Sequence, residues 1–386
     1  MLVSRFPYPL DKGDKLRAYH QLNELNKHFD VSLVALTDSK VSDANFSKVN
    51  EICDELIILK INSWTKIFNM ISCLFGSKPI QVGYFYSKTA QKKINEVITQ
   101  GDFQHIYCQL IRTSEYIKNY HHIPKTIDYM DALSMGIERR IKLQVFYKKW
   151  LFKLEARRLK KYEQYIFDYF ENHTIISEQD KQLINHPERE RIICTPNGID
   201  SSFFEKINGT REFDFIFVGN MSYAPNVEAV HLIAKEILPR IPNSTLLISG
   251  SSPNSSIKKI AEQNKNIKIT GWVDDIRTSY VMGEIFLAPM TIGTGMQNKL
   301  LEAMAIGTPC VTTPLANNAI NAKNREEIMV GATTEELISH IEELKSDHAL
   351  YSKISTNASE LVRTKFSWEK SIVRLIEIIK KIGSSI

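Results

Sequence analysis

The chain has 386 residues, 43% of them hydrophobic and 24% charged, with a formal net charge of +5. That balance excludes a disordered chain, and the length is too great for one ordinary core and suits two domains of roughly 150–200 residues. No apolar run reaches the ~18 residues of a membrane span, and Arg5, Pro7, Pro9 and Asp11 interrupt the place of a signal-peptide core, so a cytoplasmic protein is expected.

The first strand, residues 2–6, is short and looks clipped. A loop of Pro7, Pro9 and Gly13 follows, then a helix over 15–28 with Leu16, Tyr19, Leu22 and Leu25 at helical spacing. The next strand, 31–36, completes a βαβ unit and argues for a parallel sheet. The pattern continues with a strand at 56–59, a helix over 90–99, and strands at 105–109 and Lys125–Asp128. Residues 136–170 read as one long basic and aromatic helical stretch. Strands at 174–177 and 191–195 run into the turn Pro196-Asn197-Gly198.

A polar boundary falls around 200–212, and the pattern restarts. Strands are expected at Phe213–Val218, 245–249, 267–270, 285–288 and 310–313. Helices are expected over 226–240, 256–263, from about Asn298, and over 367–382. The fold class is therefore α/β: two similar, Rossmann-like, doubly wound domains. We assign 1–200 to an N-terminal domain, 201–365 to a C-terminal domain, and 366–386 to a helix crossing back. Ligands of such sheets bind beyond the carboxyl ends of the strands, so the default site is a cleft that the two domains face.

The most informative stretch is 288–309. A strand ends at Ala288 and the glycine-rich loop 293–295 follows. A helix then begins near Asn298 and is closed by Gly307, with Pro309 beyond. The N–H groups of Met296, Gln297 and Asn298 would point from the helix N-terminus at a phosphate. Lys299 and Glu302, three apart, share a helix face. The first can neutralise a diphosphate and the second can accept hydrogen bonds from a diol. The alternative is a plain surface ion pair, against which the apolar run Ala303-Met304-Ala305 argues for a helix sunk in the fold.

"GMQNKLLEAMAIGTPCVTT" resembles the donor-site signature of the GT-B glycosyltransferases of family 4 (group 1). "TPNGID", "FVGNMSYAPNVEAVHLIAKEILPRIPN" and "ITGWVDDI" stand where that family has their counterparts. "SRFPYPLDKGDKLRAYHQL" is similar to the subgroup found with exopolysaccharide and PEP-CTERM systems. The resemblance spans essentially the whole chain. It implies that Glu302 binds the donor ribose and that Trp272 and Val273 contact the base. Gly219 and Asn220 would begin a loop approaching the diphosphate, and Gly13 would face the phosphates from the other domain. It also implies retention of anomeric configuration. The alternatives are a nucleotide-sugar epimerase or hydrolase of GT-B fold and a non-catalytic sugar-nucleotide-binding protein, the latter on the departures at Thr294 and Asn220.

Three positions depart from the family's pattern. Thr294, beside Gly295, stands where the first glutamate of a paired motif would fall. Asn220-Met221-Ser222-Tyr223 lacks an Arg and a Lys, which shifts phosphate neutralisation to Lys299 and to Arg5, Lys12 or Arg112. Tyr107-Cys108-Gln109 occupies the place of an N-domain histidine.

Of the remaining acids, Asp128 and Asp131 follow a strand. Either could orient an acceptor hydroxyl or serve as its base, and Asp131 is favoured because it lies further beyond the strand end; loop capping is the alternative. Asp14 with Lys15 and Arg17 is either a first-turn charge pattern or a substrate clamp. Neither Asp128/Asp131 nor Asp274-Asp275 has D-x-D spacing, so no metal and no cofactor are expected. Cys53, Cys73, Cys108, Cys194 and Cys310 are scattered and odd in number, unlike a disulfide framework or zinc site.

The positive charge concentrates in 139–161, ten basic residues against Glu155 alone. Interleaved with Phe146, Tyr147 and Trp150, it reads either as an anionic membrane contact near a lipid-linked acceptor or as a solvated helix face. No nucleic-acid signature accompanies it. Gly293-x-Gly295-x-x-Asn298 lacks the third glycine of a dinucleotide fingerprint and lies late in the chain, which speaks against a dehydrogenase. The expected activity is a hexosyltransferase-type transfer from a nucleotide-diphosphate sugar to a glycan or lipid-linked acceptor in bacterial surface polysaccharide synthesis, at or near the inner face of the membrane.

Overall fold

The computed structural model describes residues 1–292 and 296–383. Its contacts divide the chain into two compact units, Met1–Pro196 with Ser371–Ile386, and Asn197–Lys370. The helix Trp368–Gly383 therefore begins in one unit and continues in the other.

The first unit is built on seven parallel strands: β1 Leu2–Val3, β2 Ser32–Thr37, β3 Glu55–Lys60, β4 Ile106–Gln109, β5 Lys125–Asp128, β6 Asn172–Ile175 and β7 Ile193–Cys194. They are ordered β3-β2-β1-β4-β5-β6-β7. β1 pairs with β2 on one side and β4 on the other, through Leu2 opposite Val34 and Cys108. The order reverses between β1 and β4. β1 is clipped as its sequence suggests, because Arg5, Pro7 and Pro9 follow and proline cannot donate to a sheet ladder. β4 and β5 are buried along their whole length, as central parallel strands are when both faces are covered.

The long helical stretch expected over 136–170 is broken. It forms Leu133–Arg140, a tight turn Ile141–Leu143, extended Gln144, and then Phe146–Phe167. A straight helix of that length would run for about 50 Å. The break lets its two parts pack on one another instead. Several helices carried no expectation, among them Asp43–Asn50, Ser63–Phe75, Thr334–Ser346 and His348–Lys365.

The second unit has six parallel strands: β8 Phe213–Val218, β9 Leu246–Ser249, β10 Ile267–Gly271, β11 Gly283–Ala288, β12 Cys310–Thr312 and β13 Met329–Val330. Their order is β10-β9-β8-β11-β12-β13, with the reversal between β8 and β11. The helix expected over 226–240 runs as Ala224–Leu232, then widens over Ile233–Ile237 and tightens over Leu238–Arg240. Pro239 has no N–H to continue the ordinary ladder there. Each sheet thus has one switch point, where neighbouring strand ends open a crevice.

Candidate functional site

In the second unit, the residues singled out by sequence gather beyond the carboxyl ends of β8, β10 and β11. The helix Asn298–Ile306 starts after β11. Gln297 gives it no side-chain cap, and it ends at Gly307, whose φ of +84° is left-handed. Leu300, Leu301, Ala303, Met304 and Ala305 are buried, so the helix is set into the unit. Thr294 and Gly295 lie outside the described residues. Met296 is buried, and the Asn298 side-chain oxygen accepts from Asn197 Nδ2 at 2.9 Å.

Lys299 and Glu302 share this helix but form no ion pair with each other, which removes the surface-pair reading. Lys299 Nζ donates to the neutral side-chain oxygen of Asn226 and lies 4.8 Å from the centre of the Phe217 ring. Among the described residues no carboxylate makes an ion pair with it. Burial pushes its pKa down to about 7, and the charge of Glu302 offsets only part of that. A desolvated ammonium held by an amide and a ring is stabilised poorly, and an anion placed beside it would recover the lost solvation.

Glu302 Oε2 accepts from the buried Tyr280 hydroxyl at 2.6 Å. Burial raises the Glu302 pKa, against the pull of Tyr280 and Lys299.

Asn226 links this helix to the β8 end. Its Nδ2 donates to the Asn220 carbonyl at 2.9 Å, and the Asn220 side chain accepts from Ser222 N and Oγ. A Cβ on Gly219 would lie 2.6 Å from Asn226 Nδ2, so glycine is needed there for packing. At the β10 end, Gly271 has φ +73° and nothing within 4 Å of an added Cβ. Trp272, next in the chain, is 60% exposed, and Val273 is half-buried. A large aromatic left in water beside an open glycine is a ready platform for stacking.

The first unit gathers charge at its own switch point. Asp14 is flanked by Arg5, which donates to it, and by Arg112 Nη1 at 3.5 Å. Arg112 also donates to Gln81 Oε1 at 2.7 and 3.1 Å. Both guanidiniums lie over Phe85, 5.5 and 5.3 Å from its centre. Gly13 opens the helix Gly13–Leu25, and a Cβ there would meet only Met130 Cε at 3.5 Å.

Asp128 does not face an acceptor. It is fully buried, takes Arg17 Nε at 2.6 Å and Gln21 Nε2 at 3.2 Å, and lies 2.9 Å from the Tyr107 hydroxyl. Arg17 continues to the Thr195 carbonyl at 2.9 Å and hydroxyl at 2.7 Å. Arg17, Asp128, Gln21 and Tyr107 are thus a structural clamp across 178 residues of sequence. Asp131 is half-buried, with Arg112 and Glu163 as charged neighbours. The backbone before it, Met130, sits at φ +65°, a cost that neighbouring structure must offset.

Residues 212–347 match the family model described as "Glycosyl transferases group 1". This segment, most of the second unit, is that of a group 1 glycosyltransferase. The transferase is 22% identical over 391 residues to an uncharacterised 44.6 kDa protein in the cps region of Klebsiella pneumoniae, covering 94% of this chain and 95% of that protein. It is 28% identical over 163 residues to a UDP-Gal:alpha-D-GlcNAc-diphosphoundecaprenol alpha-1,3-galactosyltransferase of Escherichia coli, covering 37% of this chain and 41% of the relative.

Among solved structures, the sucrose-phosphate synthase of Thermosynechococcus elongatus superposes with a TM-score of 0.73 at 14% identity, over 100% of this chain and 99% of that one. Anabaena HepE in complex with UDP and glucose gives 0.66 at 12% identity, over 100% and 99%. WaaG, a glycosyltransferase involved in lipopolysaccharide biosynthesis, gives 0.65 at 15%, over 94% and 95%. The transferase has the GT-B fold.

Two residues of the transferase's site escaped sequence reasoning. Asn226 is a lone buried amide on an apolar helix beside Val227, Ala229 and Val230, and that oddity is its only local signal. Tyr280 has no such signal, because its role comes entirely from lying under Glu302.

Proposed function

We propose that the transferase moves a sugar from a nucleotide-diphosphate donor held in the second unit to a glycan or lipid-linked acceptor, in bacterial surface polysaccharide biosynthesis. The observation that carries this reading is Lys299: a half-buried cation at a helix N-terminus, bonded to an amide and, among the described residues, paired with no carboxylate. The relatives support it through their descriptions, one naming UDP-Gal and alpha-D-GlcNAc-diphosphoundecaprenol, another a complex with UDP and glucose, and a third a cps region.

In this reading the donor diphosphate meets Lys299 and the N–H groups of Met296, Gln297 and Asn298, with Thr294 and Gly295 in the approach loop. Glu302 accepts from the ribose diol, and Tyr280 holds the carboxylate in place. Trp272 and Val273 cover the base, and Gly219 and Asn220 leave room for the phosphates. As the glycosidic bond breaks, negative charge grows on the leaving phosphate, and these preorganised donors stabilise it where it develops. They supply that neutralisation without a metal or cofactor. Asp131 orients the acceptor hydroxyl, and transfer proceeds with retention.

The test is a thermal-shift and calorimetric titration with UDP, other nucleoside diphosphates and their sugars, then product analysis with and without acceptor. We expect a nucleoside diphosphate to stabilise the protein, and Lys299→Ala to abolish both that shift and transfer. Full activity of Lys299→Ala with the true donor would overturn the reading. Turnover of donor alone at the full rate would point to an epimerase or hydrolase instead.

A further inference from the structure

The helix Ser63–Phe75 is amphipathic in the wrong sense for water. Its inward face is polar: Lys66 pairs with Asp38 at 2.7 Å, and Asn69 Nδ2 donates to the carbonyls of Gly83 and Tyr86 at 3.0 and 2.7 Å. Its outward face carries Trp64, Ile67, Phe68, Met70, Ile71, Leu74 and Phe75, all exposed, with Trp64 78%, Phe68 72% and Phe75 88% accessible. An ordinary surface helix buries its apolar stripe and shows its charges. A contiguous exposed apolar face of this kind marks an interaction surface.

A second exposed group adjoins it. Arg158, on the helix Phe146–Phe167, donates to the Cys73 carbonyl at 2.5 Å and the Leu74 carbonyl at 3.3 Å. The same helix exposes Phe146 (85%), Tyr147 and Trp150 toward its N-terminus, and Trp150 stands two four-residue steps before Arg158. Around these aromatics lie the ten basic residues of 139–161. The one acid among them, Glu155, is buried and accepts the N–H groups of Ile80 and Gln81 at 2.8 and 2.9 Å. The charge this stretch shows to solvent is therefore all positive.

We propose that the helix Ser63–Phe75 and the N-terminal half of Phe146–Phe167 form one face that inserts shallowly into an anionic lipid bilayer. The apolar side chains enter the acyl boundary and the lysines and arginines meet lipid phosphates. A second copy of the chain fits this face poorly, since a two-fold contact would set the same cations against each other. Among the described residues no helix is long and apolar enough to cross a membrane, so the docking lies on the surface. This deepens the membrane side of the proposed function and does not depend on the donor site.

The experiment is co-sedimentation of the full chain with two kinds of vesicle, pure phosphatidylcholine and phosphatidylethanolamine with about 30% phosphatidylglycerol. We expect binding to the anionic vesicles, weakened by salt, and a blue shift of tryptophan emission. Trp64→Ser/Phe68→Ser/Phe75→Ser should lower the partition coefficient at least about tenfold, because three large apolar groups no longer transfer from water. Lys149→Glu/Lys153→Glu should abolish the preference for anionic lipid. Both variants should keep the wild-type thermal shift with UDP, which separates this proposal from the donor site. Equal binding by the triple variant, or no vesicle binding by the wild type, would overturn it. So would a wild-type dimer in light scattering that the triple variant converts to monomer.

Discussion

Two cations, the fully buried Arg17 of the first unit and the half-buried Lys299 of the second, are treated in opposite ways. Arg17 meets a carboxylate in a fork, a carbonyl and a hydroxyl, all inside the first unit. Lys299 meets a neutral amide and the face of a ring. A buried charge with a full set of partners is a structural tie, and removing one partner strands the other. A buried charge left half-satisfied is held by the fold at a cost, and a ligand of opposite sign relieves it. Hydrogen-bond accounting thus gives the two cations opposite expected roles, Arg17 in stability and Lys299 in ligand binding.

The largest expected effect breaks the tie in the first unit. Asp128→Ala strands Arg17 and should destabilise the protein by about 3–5 kcal/mol, read as a lowered midpoint in urea unfolding. Lys299→Met, by contrast, should unfold at the wild-type midpoint or later. It should lower the transfer rate by about 10²–10³, the loss typical of one preorganised donor. If instead Asp128→Ala is neutral and Lys299→Met unfolds, the assignment of the two cations is reversed.

A smaller effect concerns the neighbour of Lys299. Glu302→Gln keeps the shape but loses the charged acceptor for the ribose diol. It should raise the donor Kd by about 10–100-fold, the worth of hydrogen bonds to a charged group. Unchanged binding of the nucleotide-sugar would remove Glu302 from the site.

The pH dependence sharpens the contrast further. Free Lys299 titrates at about 7, and a bound diphosphate favours its charged form, so binding takes up a proton above that pH. Nucleoside diphosphate affinity should therefore be full below about pH 7 and fall by up to about tenfold per unit above it. Calorimetry in buffers of different ionisation heat reads the uptake directly. Lys299→Met should flatten the profile, whereas Arg17, kept charged by Asp128, contributes no slope in this range.

The smallest effect is Tyr280→Phe. It deletes one hydrogen bond to Glu302, worth about 1 kcal/mol, and should weaken donor binding about fivefold without a change in the unfolding midpoint beyond that scale.

The sequence determined what is local. The run from Ala288 to Pro309 showed a strand end, a helix start near Asn298 and a closing glycine, because caps, turns and short apolar runs act over a few residues. The alternation of strands and helices in both halves determined two parallel, doubly wound sheets for the same reason.

Tertiary structure decided the partners. Lys299 rests on Asn226, 73 residues earlier, and Arg17 is clamped by Asp128, 111 residues later. No local pattern encodes either distance. The sequence favoured Asp131 over Asp128 only by its place beyond the strand end, and it took burial to show the second to be a clamp. The helix 63–75 makes the same point most sharply. It carried no expectation from the sequence, and periodicity could fix only that its apolar residues share one side. Which side faces the protein depends on what Asp38, Gly83 and Tyr86 present across the fold.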